Sequence, residues 1–309
     1  MAGNVPYGTP TGTSAISNLV QTAYDQYVRM ALRSIPVMRA LADVKPVQQA
    51  MPGSSVVFSI YSDLAQATST LTETSDVSSI ALGNPNQITV TLQEYGSAVT
   101  TTKKLNLTSF NDVDAALADI IAYNAADSID AVVAGVLTSG TNIIYGGTAT
   151  NTAGITAGST ISVSDIRAAV TNLRSNKALP RIGELYAAYL HPKQTADLRA
   201  ETGTGGFQDL SKYVDRTPFV AGAVGVLEGA FIVETPRVPY TSNGTTNVYS
   251  AIVAGREALA EAQGQDISTV IGPQIDALRR FHTIGWYYFG GWNLLRTAAL
   301  YNIQTATAY

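Results

Sequence analysis

Asp127 and Asp130 stand three residues apart, a spacing that places both carboxylates on one face of a helix, where they could share a proton or do acid and base work. No cation or metal-ligating side chain stands beside them in sequence, so the pair reads as a solvated helical face. Glu184 is a third carboxylate that nothing directs toward the other two. The two histidines, His191 and His282, are each remote from any nucleophile motif. His191, ahead of Pro192, reads as a turn residue and His282 as a strand residue. Gly203-Thr-Gly-Gly206 lacks the Gly-Lys-Ser/Thr ending of a phosphate loop and the strand-then-helix setting of a dinucleotide fingerprint, and reads as a loop. Asp112-Val-Asp114 opens like a calcium loop but lacks the glycine and the terminal glutamate that complete one. Arg279-Arg280 is too little for a nucleic-acid groove and is expected to pair with an acidic neighbour. Trp286-Tyr287-Tyr288-Phe289 with Trp292 could stack a sugar; at alternating strand spacing it reads instead as half core, half interface. The chain has no cysteine, hence no thiolate nucleophile, disulfide or Cys-based metal site. The expectation is of no catalytic residue, no cofactor-binding residue and no metal ligand: a protein that is not an enzyme.

The elements that would carry these residues are unusual in their order. Residues 51–102 form a polar, extended stretch without one Lys or Arg, followed by a long alanine-rich amphipathic helix from about Asp112 to Leu137. Within the stretch, residues 56–61 and 88–92 read as strands, and the Ser, Thr, Gly and Ala between them cannot build a core. An isolated two-stranded ribbon is marginal in water, and a loop this long inside a compact domain is functional or disordered. The reading is an arm that lies on another subunit.

Composition points the same way. Charged residues make up 14% of the 309, well below the roughly 25% of ordinary soluble domains, and so little charge suits a surface buried against other chains better than a free monomer. A net charge of −4 argues against a dedicated nucleic-acid binder, whose affinity needs clustered Lys and Arg. The N-terminus lacks the basic and apolar regions of a signal peptide. The longest near-apolar run, 219–233, is broken by Glu228 and too short for a bilayer, so no membrane partner is expected.

Along the chain, residues 1–14 read as a draped arm, followed by a short helix ending before Pro36 and a second short segment over 37–42. The long helix is expected to bury Val113, Leu117, Ile120, Ile121, Asn124, Ile129, Val132, Val133, Val136 and Leu137, with Asn111 as cap. A second amphipathic helix starts at Ser164, with Ile166, Ala169, Val170 and Leu173 inward, and ends before Pro180. A strand over 185–190 and a helix opened by His191-Pro192 complete a small α/β layer. Residues 279–306 read as aromatic strands in which Gly290-Gly291 marks a turn or bulge.

This order of segments, with Leu190-His191-Pro192 opening a helix, the run from Gly222 to Val233 followed by Thr235-Pro236, and Ala254-Gly-Arg-Glu-Ala-Leu259, resembles the major capsid protein of a tailed double-stranded DNA bacteriophage with the Hong Kong 97 fold. The resemblance covers nearly the whole chain. It implies an α+β fold divided into an N-terminal arm and short helices (1–48), an E-loop hairpin (49–105), a peripheral-domain spine helix (106–145), an axial domain (146–255) and returning C-terminal strands (256–309).

The function implied is a shell protein that assembles into hexamers and pentamers of an icosahedral container for double-stranded DNA, made in the bacterial cytoplasm and resident in the virion. Its partners would be other copies of itself, a separate scaffolding protein unless the chain is already trimmed, a portal, a decoration protein and packaged DNA held without sequence readout. The alternative is an encapsulin-like compartment around cargo enzymes. Some members of the family weld subunits through an E-loop lysine; residues 51–102 have none, so noncovalent assembly is expected. The loop acids Asp63, Glu73, Asp76 and Glu94 are expected near Arg174, Lys177, Arg181 or Arg279-Arg280 of the next subunit.

Overall fold

The strand Asn247–Ala254, buried at every residue but its first, sets the architecture, because it is buried on both faces and needs a layer on each side. The computed structural model describes residues 33, 35–46, 53–71, 73–77, 79–108, 113–202, 206–207, 225–271, 278 and 280–309. Among the described residues, thirteen strands and four α-helices run in the order β1 (Ala42–Pro46), β2 (Ser55–Ile60), β3 (Asn86–Thr91), β4 (Gln93–Thr102), α1 (Lys103–Thr108), α2 (Val113–Thr138), β5 (Ile143–Tyr145), α3 (Val163–Ser175), β6 (Tyr186–Leu190), α4 (Pro192–Ala200), β7 (Val226–Leu227), β8 (Ala230–Glu234), β9 (Tyr240–Ser242), β10 (Asn247–Ala254), β11 (Leu259–Ile271), β12 (Phe281–Leu294) and β13 (Leu300–Thr305).

They form two main sheets and a ribbon. A seven-stranded sheet is ordered β5-β13-β10-β6-β8-β7, with β9 added to β10; a four-stranded sheet is ordered β1-β11-β12-β4; β2 and β3 pair only with each other. Strand alternation sorts the core of the large sheet. Tyr186, Ala188, Leu190, Ala251 and Val253 join Ile166, Val170 and Leu173 of α3 on one face. Ala187, Tyr189, Ile252 and Ala254 join α2 on the other. Helix α2 therefore serves both sheets, since Ile121, Ala125, Ile129 and Val133 also pack on Ile284, Trp286, Tyr288 and Trp292 of the four-stranded sheet.

Local signals explain most boundaries, and some differ from the sequence expectation. The long helix forms as expected, but Ile120 and Asn124, both assigned to the inner stripe, are exposed, Ile120 at 44%, and Ala125 and Ala134 are buried in the seam instead; the side chain of Val113 lies outside the described residues. Asn111 and Asp112 lie outside the described residues, as does the short helix expected before Pro36. Residues 117–138 of α2 are long and apolar enough to cross a membrane by length and composition, which the hydropathy of 219–233 did not reveal. Helix α3 is capped by Ser162 rather than Ser164: Ser162 is extended, its hydroxyl accepts from the Asp165 amide, and the Asp165 carboxylate accepts from the Ser162 amide. Gly290-Gly291 is no turn. Both stay within β12, and the register irregularities fall on β11 between Gln263 and Ser268.

His191 is the turn residue the sequence suggested, with a defined job. Its Nδ1 accepts from the Lys193 amide at 3.2 Å while the Gln194 side chain accepts from the His191 amide, closing a capping box at α4. The ring packs on Tyr249. Burial, with a smaller contribution from the Lys193 charge, holds its pKa below the ordinary imidazole value. A group protonated less readily in the folded chain than in the unfolded one stabilises above the unfolded pKa, about 6.5 for His, and that contribution is lost as pH falls below it. Urea midpoints between about pH 7 and pH 5 should therefore fall further for the native sequence than for His191→Asn, which keeps a cap acceptor but does not titrate. Parallel pH profiles would show that the cap does not depend on a neutral imidazole.

Candidate assembly interface

The arm begins where its sequence, which has no Lys or Arg over residues 51–102, meets the folded body. Hydrogen bonding in β2 and β3 is satisfied between themselves, from Ser55–Thr91 to Ile60–Asn86, with Leu92 N donating to the Ser54 carbonyl. Val90 and Leu92 are buried against Ala260 and Ala262, and Val56, Phe58 and Phe289 pack beside them. Gly291 makes this seat possible: a Cβ there would be driven into the Thr91 carbonyl and against Val90. A close backbone crossing, rather than a turn, is what the glycine serves. Lys45 of β1 approaches the ribbon from the other side, with its ammonium 5.1 Å from the Phe58 ring centroid.

Beyond that seat the large apolar side chains of the arm lie open to solvent among the described residues. Tyr61, Leu64, Leu71, Val77, Ile80 and Leu82 are all exposed, Leu71 at 77% and Ile80 at 69%. Asp63, Glu73 and Asp76 carry no ion pair among the described residues. Glu94, grouped with them in the sequence, is a different case, because it lies at the start of β4 and hydrogen-bonds Tyr287. These side chains lie in the loop that joins β2 to β3 rather than on either strand, and so many large apolar groups exposed together are unusual on a free surface.

Asp127 and Asp130 are both held by Arg237. Asp130 is 1% exposed in the middle of α2; its Oδ1 accepts from the Met38 amide at 2.6 Å and the Arg39 amide at 3.2 Å, and its Oδ2 accepts from Arg237 Nε at 2.7 Å. Arg237 also pairs with the Asp127 carboxylate and donates to the Asp127 carbonyl at 2.8 Å. Burial opposes the Arg237 charge, but the hydrogen bonds and charges of both aspartates outweigh it and hold the guanidinium above its ordinary pKa. In place of the solvated helical face expected from sequence stands an ion-pair cluster, buried at Asp130 and half-exposed at Asp127, whose cation arrives from 107 residues away.

A second lock follows in the same segment. Arg39 Nη2 donates to Glu261 Oε1 at 2.6 Å, and the Tyr288 hydroxyl donates to the same oxygen at 2.8 Å. Burial first, then the Glu261 carboxylate, pushes the Tyr288 hydroxyl far above the ordinary tyrosine range, so it remains a donor. A third lock joins Arg181 to Asp43 at 2.7 Å, while the other Asp43 oxygen accepts from the Glu257 amide at 2.9 Å. Sequence reading missed Arg237, Arg39, Glu261 and Asp43. The available signal was a lone charge inside an apolar run, as with Glu261 in Ala258-Leu-Ala-Glu-Ala.

The remaining candidates scatter. Glu184 lies in the turn before β6, and Arg279 and most of Gly203–Gly206 lie outside the described residues. Asp114 opens α2 and His282 sits in β12. The aromatic group is a packed core on one face: Trp286 Nε1 donates to Asn124 at 2.9 Å, and Tyr288 and Trp292 stack with centroids 5.2 Å apart. Tyr287 and Phe289 alternate to the other face. Among the described residues no group of three or more His, Cys, Asp or Glu could hold a metal ion.

Helix α2 packs under both sheets, and the loop joining β2 to β3 exposes a run of apolar side chains. A family model described as phage capsid protein matches residues 14–296. This chain belongs to the phage capsid protein family. No curated protein matches its sequence. Among solved structures, the capsid of cyanophage P-SCSP1u superposes with a TM-score of 0.75 at 17% identity, covering 98% of this chain and 97% of that one. The capsid of Ralstonia phage GP4 gives 0.72 at 16% identity over 99% and 98%. The capsid of a native GTA particle gives 0.69 at 17% identity over 97% and 100%. The capsid protein thus has the Hong Kong 97-like α+β fold that its segment order resembled, and it is a structural protein of the shell.

Removing one partner of a buried ion pair leaves an uncompensated charge, at a cost of about 3–5 kcal/mol. Asp130→Ala, which also orphans two backbone amides, should destabilise the capsid subunit by about that amount. Asp127→Ala should cost about 1 kcal/mol or less, because that carboxylate is 41% exposed and screened. Denaturant unfolding of the two variants checks this, and equal losses would contradict the assignment of Asp130 as the central acceptor.

Proposed function

We propose that this capsid protein closes into an icosahedral shell of hexamers and pentamers around double-stranded DNA, with the ribbon of β2 and β3 laid across the adjacent subunit. The observation that carries the reading is the exposed apolar row on an arm that has no core of its own. On this reading residues 49–105 are the E-loop, α2 is the spine of a peripheral domain with the four-stranded sheet, and the seven-stranded sheet is the axial domain. The chain performs no catalysis, and assembly takes place in the host cytoplasm with a separate scaffolding protein, a portal and a decoration protein as partners.

Subunits are held by noncovalent contacts, because residues 51–102 offer no lysine for an isopeptide bond. DNA presses on the inner wall without readout, in keeping with a net charge of −4. The family match and the capsid likenesses favour a virion shell over an encapsulin-like compartment.

Electron microscopy of the purified chain after size-exclusion chromatography with light scattering should show closed shells, or discrete pentamers and hexamers. Mature particles should run as single subunits on a denaturing gel. A stable monomer at high concentration would contradict the assembly reading, and a ladder of multimers would contradict noncovalent closure.

A further inference from the structure

A cleft of about 310 Å³ lies where three segments meet: the end of α3 with the loop behind it (176–179), the β10–β11 turn (255–257) and the stretch before β13 (296–299). Its charged lining is Lys177, Arg256, Arg296 and Glu257. Glu257 is committed to Arg296, Nε to Oε2 2.8 Å. Lys177 and Arg256 have no ion-pair partner among the described residues, so the cleft presents two uncompensated cations.

The cleft is built rather than incidental. The Arg256 amide donates to the Leu179 carbonyl at 2.7 Å and the Gly255 amide to the Ala299 carbonyl at 2.8 Å, fastening the turn to both other walls. Gly255 leaves no room for a side chain, because a Cβ would sit 2.7 Å from the Leu179 carbonyl. Asn176 Nδ2 donates to the Tyr301 hydroxyl at 3.1 Å and ties the first wall to the third. Lys177 and Glu257 both hold left-handed backbone, φ 57° and 58°, a conformation that costs a non-glycine residue and persists where the surroundings impose it. Leu179 beside them is 59% exposed, which gives the cleft an apolar rim.

The chain contains a complementary surface. Residues 51–102 hold acids and no base, and the distal acids Asp63, Glu73 and Asp76 are unpaired among apolar side chains. Glu73 and Asp76 flank one turn three residues apart, which brings two carboxylates to the same end of the arm. Of the acceptors expected for them from sequence, Arg181 is already held by Asp43 and the Ala40 and Ala42 carbonyls. Lys177 is not.

We infer that the cleft of Lys177 and Arg256 receives the Glu73–Asp76 turn of a second copy's arm, with Leu71 covering the Leu179 rim. The inference rests on the arm-exchange reading above and names its acceptor. Complementary charge here sets register and discriminates against wrong placements, because like charges brought together are strongly unfavourable.

A charge-exchange experiment on the full chain tests it. Lys177→Glu with Arg256→Glu should lower shell yield at low salt by at least about tenfold. Adding Glu73→Lys with Asp76→Lys to the same chain should restore yield, a rescue that damage to the fold would not produce. Unchanged shell yield and salt dependence in the cleft variant would overturn the inference. So would failure of the fourfold variant to exceed the cleft variant while its subunit melts normally. A loss confined to DNA-filled particles, with empty shells unaffected, would assign the cleft to nucleic-acid phosphate instead and also overturn it. If the native chain forms no shells under any condition, the assembly reading itself fails, an outcome distinct from each of these.

Discussion

Asp130 is the carboxylate on which the subunit turns. It occupies the centre of a 26-residue helix, at a position an apolar side chain would fill with less cost, and it binds the backbone of residues 38–39 and the guanidinium of Arg237 at once. A buried carboxylate is tolerable only when its charge and lone pairs are satisfied, so the presence of Asp130 obliges two distant segments to reach α2. One of them continues through Arg39 and Asp43 into β1, tying the four-stranded sheet to the helix; the other is the connection leaving β8 of the seven-stranded sheet. Apolar packing alone would hold these pieces together. The ion pairs specify which pieces, in which register.

That rigidity gives the arm its meaning. Residues 53–60 and 86–92 leave a body whose sheets are locked on α2, and the crossing at Gly291 fixes where the ribbon departs. An arm anchored in a stiff base and bare at its end presents its apolar and acidic side chains in a reproducible direction. In the proposed arm exchange each contact with a neighbour is worth little by itself, as exposed ion pairs are. Closed symmetry repeats the contact around a ring and over a shell, and assembly then follows from many small terms.

The sequence was most legible where one short-range rule decides the outcome. Short strand-like runs marked β2, β3 and β6, helical spacing marked α2 and α3, and the His191-Pro192 pair marked the start of α4. It was misleading where the partner is far along the chain. Asp127 and Asp130 looked solvated because Arg237 stands more than a hundred residues away; Gly290-Gly291 looked like a turn because the strand that crosses it comes from residue 91; Ser164 looked like a cap because Asp165 favours Ser162 instead. The arm itself was legible from what it lacks, namely basic residues and a core, and those are properties of composition rather than of distant contacts.

Amide hydrogen exchange over residues 61–71 and 79–85, compared between dissociated subunits and closed shells, tests the central claim most directly. In the subunit these segments form no strand or helix and are exposed to water, so exchange should be fast; in the shell, a neighbour lying beneath them should slow it markedly. Equal, fast exchange in both states would mean that the arm is never covered, and equal protection in both would mean that it packs on its own subunit. Either result would contradict an arm that completes its fold on the next copy.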